Sequence, residues 1–253
     1  MTRSKTTRDA RTLGIDVGTS GLRIAALGED GELCWLDKAE WPVPTAETGH
    51  EQDPNAWWQA FDDRMQTLGR EGRLGNIRAI AFAGTSGTAL TMGDDGLAEG
   101  PALMYDDPRG SQQRAALRRL DIDPDAQIDA LARWRWLVEA RAQHGRPVSQ
   151  ADWFVYRLTG THVSDSNNAL KWGFDPVNER WPAALAERFG DRLPTVQRAG
   201  TPVGTLHDHW HQRWSLPAGV QIVAGTTDSM AALWASGATD EGDGVTSLGS
   251  TLA

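Results

Sequence analysis

Two aspartates stand where a carboxylate could do chemistry. Asp16 ends the apolar run LGIDV and is followed by Gly18, Thr19, Ser20 and Gly21, while Asp228 follows the run VQIVAG and two threonines. Near the far end, Gly249, Ser250 and Thr251 repeat the glycine-hydroxyl pattern. Glycines let backbone N–H groups come close to an oxyanion and the adjoining hydroxyls donate to it, as a phosphate-holding turn requires. The first turn is not a Walker loop, because no Gly-Lys-Ser/Thr follows and the chain continues into a strand. Either aspartate alone reads at least as well as a turn cap. Two such turns with two carboxylates point instead to phosphoryl transfer, one carboxylate holding Mg2+ or its water shell and the other accepting the proton of an attacking hydroxyl.

Such a site needs strands that end side by side, since strand ends of an open sheet converge on one crevice. Runs 12–17 and 22–27 are short and rich in branched residues; with LCWLD after the turn at Glu29-Asp30-Gly31 they predict a three-stranded meander. Asp53 and Pro54 predict the cap and first position of a helix reaching about residue 69, with Trp57, Trp58, Phe61, Met65 and Leu68 at helical spacing. IRAIAFAG (77–84) and TALTM (88–92) read as strands, and Asp94-Asp95-Gly96 as a hairpin turn. From about 110 to 160 the pattern is helical: DIDPDAQIDALARWRW reads as an amphipathic helix with a solvated face, and Ser149 caps a helix that stops at Thr159-Gly160. Residues 161–180 read mostly as turn. VQIVAG (220–225) is a continuous apolar run, as a buried central strand has, and Asp228 opens the helix behind it. VTSLGSTLA starts as a strand and enters a small-residue turn.

Composition narrows the partners. A chain of 253 residues, 40% of them hydrophobic, suffices for one large or two small domains with a core. A net charge of −9, from 34 acidic and 25 basic residues, argues against a broad grip on nucleic acid or an anionic membrane and leaves small molecules as expected ligands. No run reaches the ~18 apolar residues of a membrane helix, and the basic MTRSKTTRDAR reads as a disordered tail over residues 1–11. The single cysteine, Cys34, excludes an internal disulfide and suits a reducing compartment, so a cytoplasmic location is expected and Cys34 reads as core. Most of the 12 tryptophans are expected in the core, one or two remaining as an aromatic wall for a sugar. In HDHWH (207–211) the histidines alternate as on one face of a strand, without the further ligands of a transition-metal site. Lys171 and Arg23 read either as phosphate contacts or as surface ion pairs.

LGIDVGTSGLR, EQDPNAWW, IAFAGTS, MYDDPR, WFVYRLTG, IVAGTTDSMAAL and SLGST, in this order, resemble the N-terminal half of the FGGY carbohydrate kinases, members of the actin-like and hexokinase-like ATPase superfamily. The resemblance implies a ribonuclease H-like α/β domain, a mixed central sheet flanked by helices, with the sugar in a cleft facing a second domain. It implies ATP and Mg2+ as cofactors. By motif match, Asp16, Gly18, Thr19 and Ser20 fall on the first phosphate turn, with Asp16 at the metal position, and Gly249, Ser250 and Thr251 on the second. Asp228, in GTTD, falls on the catalytic base and touches the sugar; Asp107 and Arg109 fall on the family's Trp-x-Asp-x-Arg segment, which makes Asp107 a sugar contact.

Departures from the family pattern bear on substrate. Gly84-Thr85-Ser86-Gly87 stands where typical xylulokinases carry a Met-His pair and glycerol kinases an Arg-Glu pair; Tyr105 replaces the tryptophan, and Pro108 is unusual. GTSGT, NNALKWGFDP and TSLGST resemble the branch acting on D-ribulose, which implies a ketopentose, D-ribulose or D-xylulose, phosphorylated on a primary hydroxyl with Ser86 as a contact. Members are about twice as long, as chains of two domains are, and their adenine pocket lies largely in the C-terminal half. The expectation is therefore a sugar-binding domain over 12–253 with the nucleotide-binding domain absent: half of a kinase, inactive in isolation, or else a non-catalytic sugar-binding or regulatory half-kinase. Sugar and ATP are the expected partners, with a homodimer as the self-assembly entertained.

Overall fold

The computed structural model describes residues 9–41, 50–238 and 240–246. Alternating apolar residues build an antiparallel meander of β1 (Thr12–Val17), β2 (Gly21–Leu27) and β3 (Leu33–Glu40). After β4 (Glu51–Gln52), Asp53 caps α1 (Pro54–Arg70) by accepting from Asn55 N, and the helix buries Trp57, Trp58, Phe61, Met65 and Leu68 as their spacing predicts. There follow β5 (Ala79–Gly84), β6 (Ala89–Met92), β7 (Ala102–Leu103), α2 (Ser111–Leu117), α3 (Asp129–Arg141), β8 (Arg146–Ser149), α4 (Gln150–Thr159), β9 (Val163–Asp165) and α5 (Ser166–Leu170). The remainder comprises α6 (Ala183–Phe189), β10 (Thr195–Gln197), β11 (Pro202–Thr205), α7 (Asp208–Trp214), β12 (Gln221–Val223), β13 (Thr226–Thr227) and α8 (Asp228–Ala235).

The main sheet runs β11-β12-β5-β1-β2-β3, with β13 also paired to β5. It is mixed: β1 lies parallel to β5, and β12 and β13 lie parallel to β5 on its other side, whereas β2 and β3 are antiparallel neighbours. Backbone hydrogen bonding starts ahead of Thr12, since Arg11 N donates to Leu27 O at 2.7 Å and Arg11 O accepts from Arg78 N at 2.7 Å. A second sheet, β4-β7-β6-β8, carries the loops over the crevice.

Four readings are corrected. Residues 161–180 hold β9 and α5, the latter capped by Asp165, which accepts from Asn167 N and Asn168 N. The helical stretch expected over 110–160 is interrupted by β8. In DIDPDAQIDALARWRW only residues from Asp129 onward are helical. The histidines of HDHWH do not alternate on a strand, because 208–214 is α7, whose Trp210 and Trp214 pack into the core. Among the described residues no group of three or more His, Cys, Asp or Glu is placed to hold a metal. No described helix is long and apolar enough to cross a membrane.

Most tryptophans are core: Trp41, Trp57, Trp58, Trp134, Trp153, Trp172 and Trp214 are buried, while Trp234 is 48% exposed. Cys34 is half-buried against the same core. Two buried carboxyls lie behind the sheet. Asp152 Oδ2 accepts from Ser149 Oγ and Ser164 Oγ, both at 2.6 Å. Burial, then the neighbouring Asp165 charge, push Asp152 up to about 8. Burial raises Asp165 as well, but its N–H donors Asn167 N, Asn168 N and Asn168 Nδ2 favour its ionised form, so Asp152 keeps the proton at neutral pH. A carboxyl raised in the folded state stays protonated after its unfolded counterpart has ionised. The fold therefore loses stability, by up to ~1.4 kcal/mol per pH unit, as pH rises from the unfolded value towards the folded one. Asp152→Asn cannot ionise, so its melting temperature is expected to gain on wild type progressively between pH 5 and pH 8; a constant difference would show that Asp152 does not titrate there.

Candidate active site

β5 supplies the frame. Val17 of β1 and Thr227 of β13 both pair with Gly84 at the end of β5, so the residues beside them, Asp16 and Asp228, end on the same side of the sheet. Two strand spacings, about 9.5 Å, separate the backbones of Val17 and Thr227. Gly225 permits this approach, since a Cβ there would lie 2.3 Å from Phe82 O on β5.

Asp228 sits at the start of α8. Its Oδ1 accepts from Ser229 N at 2.7 Å, and the backbone N–H of Ser86 is near enough to favour the ionised carboxylate. Burial first, and then the charge of Asp16, raise its pKa above the ordinary aspartate value; the Ser229 and Ser86 N–H groups and the Lys171 ammonium oppose the rise. Asp16, Asp228, Ser86 and Lys171 thus lie in one electrostatic neighbourhood. Asp16 is half-exposed, and its Oδ2 accepts from Arg23 Nη1 at 2.8 Å. Its Oδ1 has no hydrogen-bond partner among the described residues, which leaves an oxygen donor in the electrostatic neighbourhood of a second carboxylate. That fits Mg2+, a cation that keeps several waters and takes only one or two protein carboxylates alongside phosphate.

The turn after β1 is pinned from below. Gly18 N donates to Gly21 O at 2.9 Å, and Thr19 O accepts from Trp41 Nε1 at 3.0 Å and Gln52 Nε2 at 2.7 Å. The Thr19 and Ser20 hydroxyls make no hydrogen bond among the described residues, so both can donate to a ligand. The second glycine-hydroxyl turn, Gly249, Ser250 and Thr251, lies outside the described residues.

Across the crevice, Thr85 to Thr88 form a turn held by Gln150. Gln150 Oε1 accepts from Thr85 N at 2.9 Å and Thr85 Oγ1 at 2.8 Å, and Thr85 Oγ1 meets Thr88 Oγ1 at 2.6 Å. Ser86 Oγ is shielded from solvent and has no partner among the described residues. The loop 104–109 forms the adjoining wall. Asp107, the expected sugar contact, has a side chain 1% exposed, and both its carboxylate oxygens accept from Arg109. Asp107 is the counter-ion of an arginine that also pairs with Glu51 and lies over the Trp136 ring. Arg109 keeps Asp107 well below the ordinary carboxylate range despite its burial.

Sequence reasoning missed Gln150, Glu51 and Arg133. Gln150 follows the Ser149 cap, where a polar residue reads as helix surface, and Arg133 falls on a stretch whose charges read as a solvated face.

Comparison with known proteins places the family and the fold. Residues 11–235 match the model of the FGGY family of carbohydrate kinases, N-terminal domain. The chain is 26% identical over 261 residues to the xylulose kinase of Escherichia coli strain K12, covering 94% of this chain and 52% of that protein. It is 27% identical over 260 residues to the xylulose kinase of Lactococcus lactis, with the same coverages of 94% and 52%. The chain thus spans about half the length of the curated relatives it matches. Its fold superposes on the xylulose kinase of Rhodospirillum rubrum with a TM-score of 0.79 at 22% identity, covering 91% of this chain and 51% of that one. With Plasmodium falciparum glycerol kinase the TM-score is 0.80 at 14% identity, covering 98% and 54%. The sheet with its flanking helices is therefore the actin-like ATPase, ribonuclease H-like fold that these sugar kinases share. The family model spans nearly every described element, from the strand that carries Asp16 to the helix that Asp228 opens, and the chain belongs to the FGGY family of carbohydrate kinases as an N-terminal domain.

Proposed function

We propose that this domain binds a ketopentose, D-xylulose or D-ribulose, and presents one of its primary hydroxyls for phosphorylation by ATP in a kinase whose other half holds the adenine. The observation that carries the reading is Asp228: a carboxylate raised by burial, fixed by the Ser229 N–H group, and two strands from Asp16. A general base works best when its pKa lies near the working pH, and a raised carboxyl moves in that direction. Asp228 takes the proton of the attacking hydroxyl as the phosphoryl group passes in line. Thr19 and Ser20 donate to the phosphates from the first turn, and Gly249, Ser250 and Thr251 are proposed for the second. Asp16 would hold Mg2+, which when bound offsets phosphate charge. The orphaned Ser86 hydroxyl supplies a partner for a sugar hydroxyl, since a buried polar group calls for one. A reducing cytoplasm suits the lone thiol of Cys34, and the chemistry asks for no second copy of the chain.

Calorimetric titration of the 253-residue chain with D-ribulose, D-xylulose and glycerol, repeated with ATP and Mg2+, tests this. Binding of one ketopentose with weak or absent ATP binding is the expected result and names the sugar. ATP binding without response to any sugar would overturn the reading. If a kinase assembled from this domain and a nucleotide-binding half bound ketopentose without turnover, the chain would instead be a binding or regulatory module.

A further inference from the structure

Arg133, on α3, is the group that ties the two walls of the crevice together. Its Nε donates to Asp107 O at 3.0 Å and its Nη1 to Gly87 O at 3.2 Å, while Nη2 donates to Tyr105 O. One planar fork thus serves three backbone carbonyls from two separate segments, the turn 85–88 and the loop 104–109. The two segments meet at Gly87, whose φ of 88° places it in the left-handed region and whose position lets Arg133 Nη1 and Tyr105 Cβ come within 3.8 and 3.9 Å of where a Cβ would stand. The turn is anchored on both sides of Ser86, because Thr85 N donates to Gln150 Oε1 and Gly87 O accepts from Arg133. Tyr105, 46% exposed, is the apolar surface that this loop presents.

We propose that Arg133 is a positioning residue for the sugar: by bridging three carbonyls it sets the separation between the Ser86 turn and the Tyr105–Asp107 loop, and with it the width of the ketopentose pocket. The inference rests on the function proposed above. Lysine keeps the charge but has a single nitrogen and no fork, so it cannot hold three divergent carbonyls.

Arg133→Lys is expected to keep the wild-type far-UV spectrum, to weaken ketopentose binding about tenfold by calorimetry, and to speed amide exchange about tenfold in 85–88 and 104–108 while β1 and β2 stay protected. In Arg133→Ala, millimolar methylguanidinium should restore sugar affinity and methylammonium should not, because only the former reproduces the fork. In wild type, where no variant has to fold, the two segments should share one protection factor, as loops opened by a single event must. Equal sugar affinity in Arg133→Lys and wild type, or distinct protection factors for the two segments, would overturn the assignment. A wild-type chain that binds no ketopentose would overturn the functional reading instead, while the exchange data would still decide the bridge.

Discussion

On the proposed function, Asp228→Asn is expected to lower ketopentose phosphorylation by the two-domain kinase about 10²- to 10⁴-fold, the usual worth of a general base, while sugar affinity is little changed. The asparagine Oδ1 still accepts from Ser229 N, so the start of α8 keeps its geometry. Its melting temperature is expected at or above that of wild type, because it removes a carboxylate that burial and Asp16 disfavour in its charged form. Steady-state turnover beside calorimetry and a thermal melt separates the roles: lost turnover with an unchanged melt marks a base, and unchanged turnover removes Asp228 from that role. A pH profile adds a second check. The base must be ionised to work and its pKa is raised, so turnover falls as pH drops through a limb lying above the ordinary aspartate value of 3.8. Lys171 opposes the rise, so Lys171→Met should move that limb to higher pH.

The largest effect on stability is expected from Trp214→Ala. Trp214 is 0% exposed. Its ring stacks on Trp210 at 4.9 Å and meets Phe61 edge-on at 5.2 Å. Its Nε1 donates to Asp62 Oδ1 at 2.7 Å, beside the Arg213 guanidinium that occupies both Asp62 oxygens. Truncation empties the seam between α1 and α7 and removes a donor from a buried carboxylate, at a cost of about 3–5 kcal/mol. In a chain of this size that lowers the melting temperature on the order of 10 °C. Trp234→Ala, at a half-exposed position, serves as the comparison and should shift the melt little. Equal shifts in the two variants would show that the aromatic seam is not what holds α7 down.

What was legible in advance follows from the length of the signal. The meander, α1 and β5 each carry enough alternation or helical spacing to be read, and Asp16 and Asp228 stand out because each ends an apolar run beside glycine and threonine. β9 and α5 have three and five residues, too few for a period to register. In HDHWHQRW the alternating histidines concealed the better signal, Trp210 and Trp214 one helical turn apart. For Asp107 the pairing was hidden: an arginine two positions on takes both oxygens, which depends on how the loop folds. Arg133 could not have been found, since nothing in a sequence distinguishes a guanidinium aimed at three carbonyls from one in water.

The matched pairing of Val17 and Thr227 to Gly84 has a consequence for how such domains diverge. The span between the two carboxylates is measured out by main-chain ladders, to which side-chain identity contributes little. On the proposed function, replacements in the bounding loops would alter which alcohol is admitted without moving Asp228 relative to the turn that carries Thr19 and Ser20, so a change of substrate would leave the reaction itself in place.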